Sequence, residues 1–269
     1  MRPGLKLIRS DDNPQVKALV KLASSSRARR ETGTTLLEGE HLVRAYLESG
    51  GKAETIFAAE TAMAKPEIRA LLEDAPADTR LVLADRLVDR ISQLVSTAGV
   101  GAVVRTPESR PPPRTLASCV LLESIQDPGN LGSILRSALA AGIAHIFLSR
   151  GSVFAWSPKV IRAGMGAHFF LSIFEDFDLA EAARGFSGRI VAMVPRAEAS
   201  LYELDLHGPV AWVFGNEGAG LSEGALRLAT HRVRIPMPGP TESLNVAAAV
   251  AICLFEQMRQ GGGASRAGP

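Results

Sequence analysis

The stretch Arg234-Ile235-Pro236-Met237-Pro238-Gly239-Pro240-Thr241-Glu242-Ser243-Leu244-Asn245 runs straight into the apolar segment Val246 to Glu256, and it constrains the fold more than any other. Val233 to Ile235 close a β-branched strand. The prolines that follow forbid regular pairing, and Gly239 allows a tight bend. The segment from Val246 is apolar on nearly every face, which predicts a buried helix rather than a surface one. A rigid loop feeding the N-terminus of a buried helix gathers oriented N–H groups and small polar side chains, here Ser243 and Asn245, in one place. Two readings stay open from this stretch alone: a proline-rich turn capped by Ser243, or a small-molecule site.

Two further loops bear on that choice. Gly215-Asn216-Glu217-Gly218-Ala219-Gly220 follows the strand-like Val210 to Phe214, and Asp127-Pro128-Gly129-Asn130-Leu131-Gly132-Ser133-Ile134-Leu135-Arg136 follows the strand-like Val120 to Glu123. Polar, glycine-bearing loops that leave the ends of apolar strands are how an open α/β sheet holds a ligand.

The rest of the chain fits an α/β protein in two domains. Asn13-Pro14 predicts a capped helix carrying Val16, Leu19, Val20 and Leu22 on one side. A polar, arginine-bearing loop is expected over 24–33. Strands are expected at 35–39, 55–58, 81–83 and 100–104, with helices at 41–48, 66–72 and 86–94. This first domain spans 1–105. A linker, 106–115, contains Pro111-Pro112-Pro113 and favours an extended polyproline spacer. In the second domain, 116–260, strands at 119–125, 144–148, 169–173, 189–194, 210–214 and 232–235 accompany helices at 131–141, from Pro158, and at 178–185, 222–229 and 245–258. That alternation calls for a mostly parallel sheet with helices on both faces. The glycine-rich tail, 261–269, is expected to be disordered.

Composition is that of an ordinary globular protein, with 46% hydrophobic and 22% charged residues in 269. The net charge of +2 is unevenly spread: residues 1–30 hold eight lysines and arginines against Asp11 and Asp12. This excess suits a polyanionic partner, or is simply a solvated basic face. Cys119 and Cys253 sit in apolar segments as small core residues, with no disulfide framework, as expected in a reducing cytoplasm. Neither histidines nor cysteines fall at zinc-ligand spacing, so no metal is expected. No signal peptide is visible, and Val246 to Phe255 is too short to span a bilayer, so no membrane partner is expected.

The three loops resemble, in order and spacing, the motifs of the SpoU (TrmH-type) RNA ribose 2′-O-methyltransferases of the SPOUT superfamily. Asn130 and Arg136 match the first motif. Gly215, Glu217, Gly218 and Gly220 match the second; Ile235, Pro236, Met237, Gly239 and Ser243 to Val246 match the third. Ser157 to His168 is also similar to the family, whereas Ser137-Ala138-Leu139-Ala140 and Ala247 depart from its usual residues. Leu36 to Val43 and Ile91 to Val104 resemble the family's accessory substrate-binding domain, of the ribosomal L30e type. The resemblance implies a C-terminal domain with a trefoil knot, a homodimer, S-adenosylmethionine as cofactor, and RNA as partner: 23S ribosomal RNA first, transfer RNA as the alternative. A non-catalytic RNA-binding member is a further alternative. A nicotinamide or nucleotide enzyme finds no support, because neither G-x-G-x-x-G nor a P-loop pattern is present.

The resemblance also assigns residues. Phe214, Gly215, Asn216, Glu217, Gly218, Ile235, Pro236, Met237, Ser243 and Leu244 are the candidates to enclose the cofactor. Asn130, Arg136, Glu217, Ser243 and Asn245 are the candidates for catalysis, and Arg27, Arg29, Arg30, His41, Arg44 and Arg136 for RNA contacts. Arg136 is the family's proposed base. A guanidinium stays protonated in nearly all settings, which favours Arg136 as a positive group that stabilises a developing alkoxide. Glu217 either pairs with Arg136 or caps a helix.

Overall fold

The computed structural model describes residues 5–92, 99–107, 111–113 and 115–261. It divides into two compact units, Met1–Glu108 with Trp156–Phe169, and Ser109–Ala155 with Phe170–Pro269. In chain order the elements begin β1 (Lys6–Ile8), α1 (Pro14–Ser24), α2 (Ser26–Thr32), β2 (Thr34–Glu38), α3 (Glu40–Glu48), β3 (Ala53–Ala59), α4 (Pro66–Asp74), β4 (Ala77–Leu83), α5 (Asp85–Ile91) and β5 (Val100–Arg105). They continue with β6 (Cys119–Leu122), α6 (Pro128–Ala140), β7 (His145–Leu148), α7 (Pro158–Gly164), β8 (Ser172–Phe174) and α8 (Leu179–Arg184). Last come β9 (Arg189–Met193), β10 (Ala199–Ser200), β11 (Val210–Phe214), α9 (Glu223–Leu228), β12 (His231–Arg234) and α10 (Val246–Gln260).

The first unit is built on a five-stranded mixed sheet ordered β1-β4-β3-β5-β2. The Asn13 side chain accepts from the Gln15 N–H to start α1, and Val16, Leu19 and Leu22 then enter a core with Phe57, Leu81, Leu83 and Ile91. Residues 24–33 are not a loop. Ser25 caps α2 by accepting from the Ala28 N–H, and Gly33, at φ 61°, closes it in the left-handed conformation. The serine run carries a helix-start signal that polarity alone disguises as a loop. Also in this unit is the segment containing α7, which sequence order puts in the second domain. The Thr35 hydroxyl donates to the Trp156 carbonyl at 2.6 Å, and the Arg162 guanidinium lies 3.8 Å from the nearly buried Glu38 carboxylate.

The second unit holds a seven-stranded, wholly parallel sheet ordered β10-β12-β9-β11-β6-β7-β8. Its central strand β11, Val-Ala-Trp-Val-Phe, is buried throughout, as a strand covered on both faces must be. From β6 the chain winds one way to β7 and β8, then returns to build β11, β9, β12 and β10 on the other side. The switch point therefore falls between β6 and β11, where an open sheet splits its loops and leaves a crevice.

Helix α10 is tied to this sheet by polar groups as well as packing. Gln257 accepts from the Trp212 indole N–H at 2.7 Å and donates to the Ser118 hydroxyl at 2.7 Å. Within the single chain this helix, expected to be buried, is covered on only part of its surface. Val250, Cys253 and Leu254 are buried, but Ala248 is exposed, and Phe255 and Met258 keep 41% and 39% of their surface. The strand expected at 169–173 is a 3₁₀ turn, Ala167–Phe170, followed by β8. The strand expected at 119–125 stops at Leu122, because Ser124 takes a φ of 54°. The proposed tail lies outside the described residues apart from Gly261, as do residues 108–110 and 114 of the linker and the end of the helix expected at 86–94. Among the described residues no helix is long and apolar enough to cross a membrane.

Candidate active site

A cleft of about 850 Å³ opens beyond the C-terminal ends of β9, β11 and β12. Its floor is the loop after β11. Asn216 and Gly220 exchange backbone hydrogen bonds at 3.0 and 2.9 Å, and the Asn216 side chain accepts from the Gly218 and Ala219 N–H groups while donating to the Ser124 carbonyl at 2.8 Å. The loop closes so tightly that a Cβ at Gly215 would lie 2.3 Å from the Gly220 carbonyl, so only glycine fits there. Asn216 thus lines the cleft and also holds its floor in shape.

Glu217 projects from this loop toward the start of α6. Its carboxylate accepts from the backbone N–H groups of Gln126 and Asp127, at 3.3 and 3.2 Å, and from the Asn130 side-chain amide at 3.1 Å. Partial burial acts to raise its pKa, but hydrogen bonds, that from Asn130 foremost, outweigh it and hold the carboxyl below its ordinary range. Of the two roles open in the sequence, Glu217 therefore serves the loop before α6 and does not pair with Arg136. Asp127 itself caps α6, accepting from the Asn130 N–H at 2.7 Å.

The third loop joins the same network. Asn245 donates to the Asn130 side-chain oxygen at 2.8 Å and accepts from the N–H groups of Ala247 and Ala248. The cap of α10 is consequently Asn245, not Ser243. Ser243 lines the cleft, and its carbonyl accepts from the Thr241 hydroxyl. Asn130 thus stands between Glu217 and Asn245, joining three loops that lie 87 and 115 residues apart in sequence.

Phe214, Gly215, Gly218, Ile235, Met237 and Leu244 line the cleft as expected from the sequence; Pro236 does not. Glycine-rich backbone on one side and apolar side chains on the other suit a flat aromatic ligand bearing polar substituents. Sequence reasoning missed Met193, Val194, Pro195 and Arg196, which form another wall. The signal was present, since Pro195 interrupts the chain directly after a parallel strand.

Arg136 is exposed on α6, outside the cleft lining, and makes no hydrogen bond or ion pair with the described residues. Among the described residues no histidine or cysteine lines the cleft. The two thiols are buried, and burial pushes both up, Cys119 to about 12. Among the described residues no cluster of histidine, cysteine and carboxylate side chains has the makings of a metal site.

Of the basic residues in the first unit, Arg29 departs from the expected phosphate contact. It is only 4% exposed, and its guanidinium donates to the carbonyls of Leu22 and Ala23 and to the Ser26 hydroxyl. Those acceptors close the junction of α1 and α2, and burial lowers the arginine's pKa. Arg27 is exposed and pairs with Glu31; Arg30 and His41 are exposed; Arg44 pairs with Glu40 at 2.7 Å.

Sequence comparison decides the family. Residues 117–255 match the model of the SpoU rRNA Methylase family, and residues 13–102 match an MRM3-like substrate binding domain. The chain belongs to the SpoU rRNA methylase family. It is 36% identical to a Synechocystis protein described as an uncharacterized tRNA/rRNA methyltransferase, over 97% of this chain and 96% of that one. It is 30% identical to the 23S rRNA (guanosine(2553)-2′-O)-methyltransferase RlmP of Bacillus subtilis, over 93% and 98%. Among solved structures, the SpoU methyltransferase AviRb from Streptomyces viridochromogenes, in complex with AdoMet, superposes with a TM-score of 0.83 at 26% identity, over 92% of this chain and 98% of that one. An AdoMet-bound rRNA methyltransferase from Sinorhizobium meliloti gives 0.80 at 29% identity, over 95% and 98%.

Proposed function

We propose that this SpoU protein moves a methyl group from S-adenosylmethionine to a ribose 2′-hydroxyl of RNA, with 23S ribosomal RNA as its substrate. The observation that carries the reading is the convergence of the three motif loops on one cleft, tied together through Glu217, Asn130 and Asn245. The cofactor, when bound, supplies a methyl group already activated by its positive sulfur, so the protein's part is alignment and electrostatics. Gly215 to Gly218 offer close backbone approach, and Ile235, Met237 and Leu244 an apolar wall for adenine. Asn130, Ser243 and Asn245 orient the reacting groups. Arg136 carries a fixed positive charge that lowers the energy of the developing alkoxide.

In this reading residues 1–105 hold RNA, with Arg27, Arg30, His41 and Arg44 on the phosphates, and residues 116–260 carry the chemistry. Phosphate contacts supply affinity and register rather than sequence choice. A homodimer formed through α10 belongs to the same reading. Ala248, Phe255 and Met258 make an exposed apolar stripe at helical spacing, which a second copy would cover. Arg136 lies outside the cleft of its own chain, so in this reading it serves the cleft of the second copy. Ala248→Glu would bury an unpaired charge, so it should weaken dimerisation and activity in parallel. Sedimentation velocity checks this: a fully active wild-type monomer at micromolar concentration rules the shared site out. The trefoil knot and a cytoplasmic location complete the proposal, supported by the likeness to SpoU structures and by two buried thiols without a disulfide.

The decisive experiment incubates purified protein and S-adenosylmethionine with ribosomal RNA and, separately, with transfer RNA, then maps 2′-O-methylated positions by sequencing. A single new modified position in 23S RNA is expected. Modification of transfer RNA alone would replace the substrate, and none in either pool would overturn the proposal.

A further inference from the structure

Among the described residues, two charged side chains line the cleft, Glu217 and Arg196. The Glu217 carboxylate is committed to three donors within its own loops. Arg196 is exposed and has no hydrogen bond or ion pair with the described residues. Its backbone, in contrast, is held firmly. The Ala197 N–H donates to the Val194 carbonyl at 3.1 Å, closing a turn directly after β9. Arg234 of β12 then donates to the Ala197 carbonyl at 2.6 Å and to that of Glu198. An uncommitted cation thus stands on a pinned turn at the wall of a ligand cleft.

S-adenosylmethionine carries two positive groups, the sulfonium and the ammonium, and one negative group, the carboxylate of its amino-acid tail. A guanidinium beside either positive group would repel the ligand; beside the carboxylate it gains charge-assisted, bidentate hydrogen bonds. We propose that Arg196 reads the carboxylate of the cofactor's amino-acid tail and so sets the cleft's preference for the intact cofactor. This rests on the cofactor reading of the preceding section. Arg234 is a positioning residue: it touches the turn's carbonyls and not the ligand.

The test is calorimetric titration of wild type, Arg196→Gln and Arg196→Lys with S-adenosylmethionine, its decarboxylated analogue, and 5′-methylthioadenosine, which lacks the whole tail. Wild type should prefer S-adenosylmethionine over the decarboxylated compound by about twofold to fivefold, the range for a charge-assisted pair near solvent. Arg196→Gln should abolish that preference and leave 5′-methylthioadenosine binding unchanged, which also shows the variant to be folded. Arg196→Lys should restore part of the preference. The inference is overturned if Arg196→Gln keeps the wild-type preference, or weakens all three ligands equally. It is likewise overturned if cofactor affinity is untouched while KM for RNA rises, which assigns the guanidinium to a phosphate. Wild type that binds none of the three compounds overturns the proposed function itself, a result distinct from the others.

Discussion

Replacing Asn130 by alanine removes both arms of the bridge at once: the bond to Glu217 at 3.1 Å and the bond from Asn245 at 2.8 Å. A net hydrogen bond contributes about 0.5–1.5 kcal/mol, and somewhat more to a charged acceptor, so the loss should be about 1–3 kcal/mol. Asn245→Ala deletes the shared bond and the cap of α10, in which the side-chain oxygen accepts at 2.9 and 3.3 Å. With about 1 kcal/mol for the cap, the total is about 1.5–2.5 kcal/mol. The double variant loses the shared bond only once. The cycle should therefore show a coupling of about 0.5–1.5 kcal/mol, against a scatter of about 0.3–0.5 kcal/mol for independent sites. Urea unfolding of the four proteins measures it. A parallel titration with S-adenosylmethionine should show a weakening up to about tenfold, because 1.4 kcal/mol expressed at the cleft equals one decade of affinity. A coupling within about 0.3 kcal/mol of zero, with both single variants folded, would refute the bridge as a link between loops.

Arg136→Ala should leave cofactor affinity within a few-fold, as the residue lies outside the cleft lining, while methyl transfer falls by about 10² or more; equal losses in calorimetry and turnover would remove its electrostatic role. Glu256 is held at about 2, first by hydrogen bonds from Arg259 and then by those from Gln260. Because its folded pKa lies below the ordinary 4.5, the stability it adds is present above that value and is lost as pH falls toward 2. Glu256→Gln should accordingly be less stable near neutrality and flatter across that acid window, read by circular dichroism; parallel curves would contradict it. Thr35→Val strands the Trp156 carbonyl in a buried setting and should cost about 1–3 kcal/mol in urea unfolding, with little effect if that bond is immaterial.

What the sequence disclosed and what it hid follow from the range of the interactions involved. Patterns that depend on a few neighbouring residues were legible in the apolar run of β11 and the Asn13-Pro14 start of α1, whereas α6, expected from 131, starts at Pro128 under an Asp127 cap. The same local logic failed at 24–33, where a cap and a loop share one composition and only the burial of Arg29 decides between them. Contacts between distant segments were out of reach. Nothing near Glu217 in the chain announces that it serves the start of α6, and nothing near Trp156 announces its bond to Thr35. The helix from Val246 teaches the sharper lesson. An apolar sequence states how much surface must leave water, not which molecule covers it; the helix's own unit buries Ala247, Ala249, Val250, Cys253 and Leu254 and leaves three apolar residues open. That remainder, Ala248, Phe255 and Met258, repeats every three to seven residues on a single face, the spacing a second helix needs to dock along it. The face that one chain leaves uncovered is thus the observation that gives the proposed dimer its physical basis. One helix carries the cap that closes the cleft at its N-terminus and the stripe left open along its length, so the proposed dimer would couple assembly and site geometry through the same element.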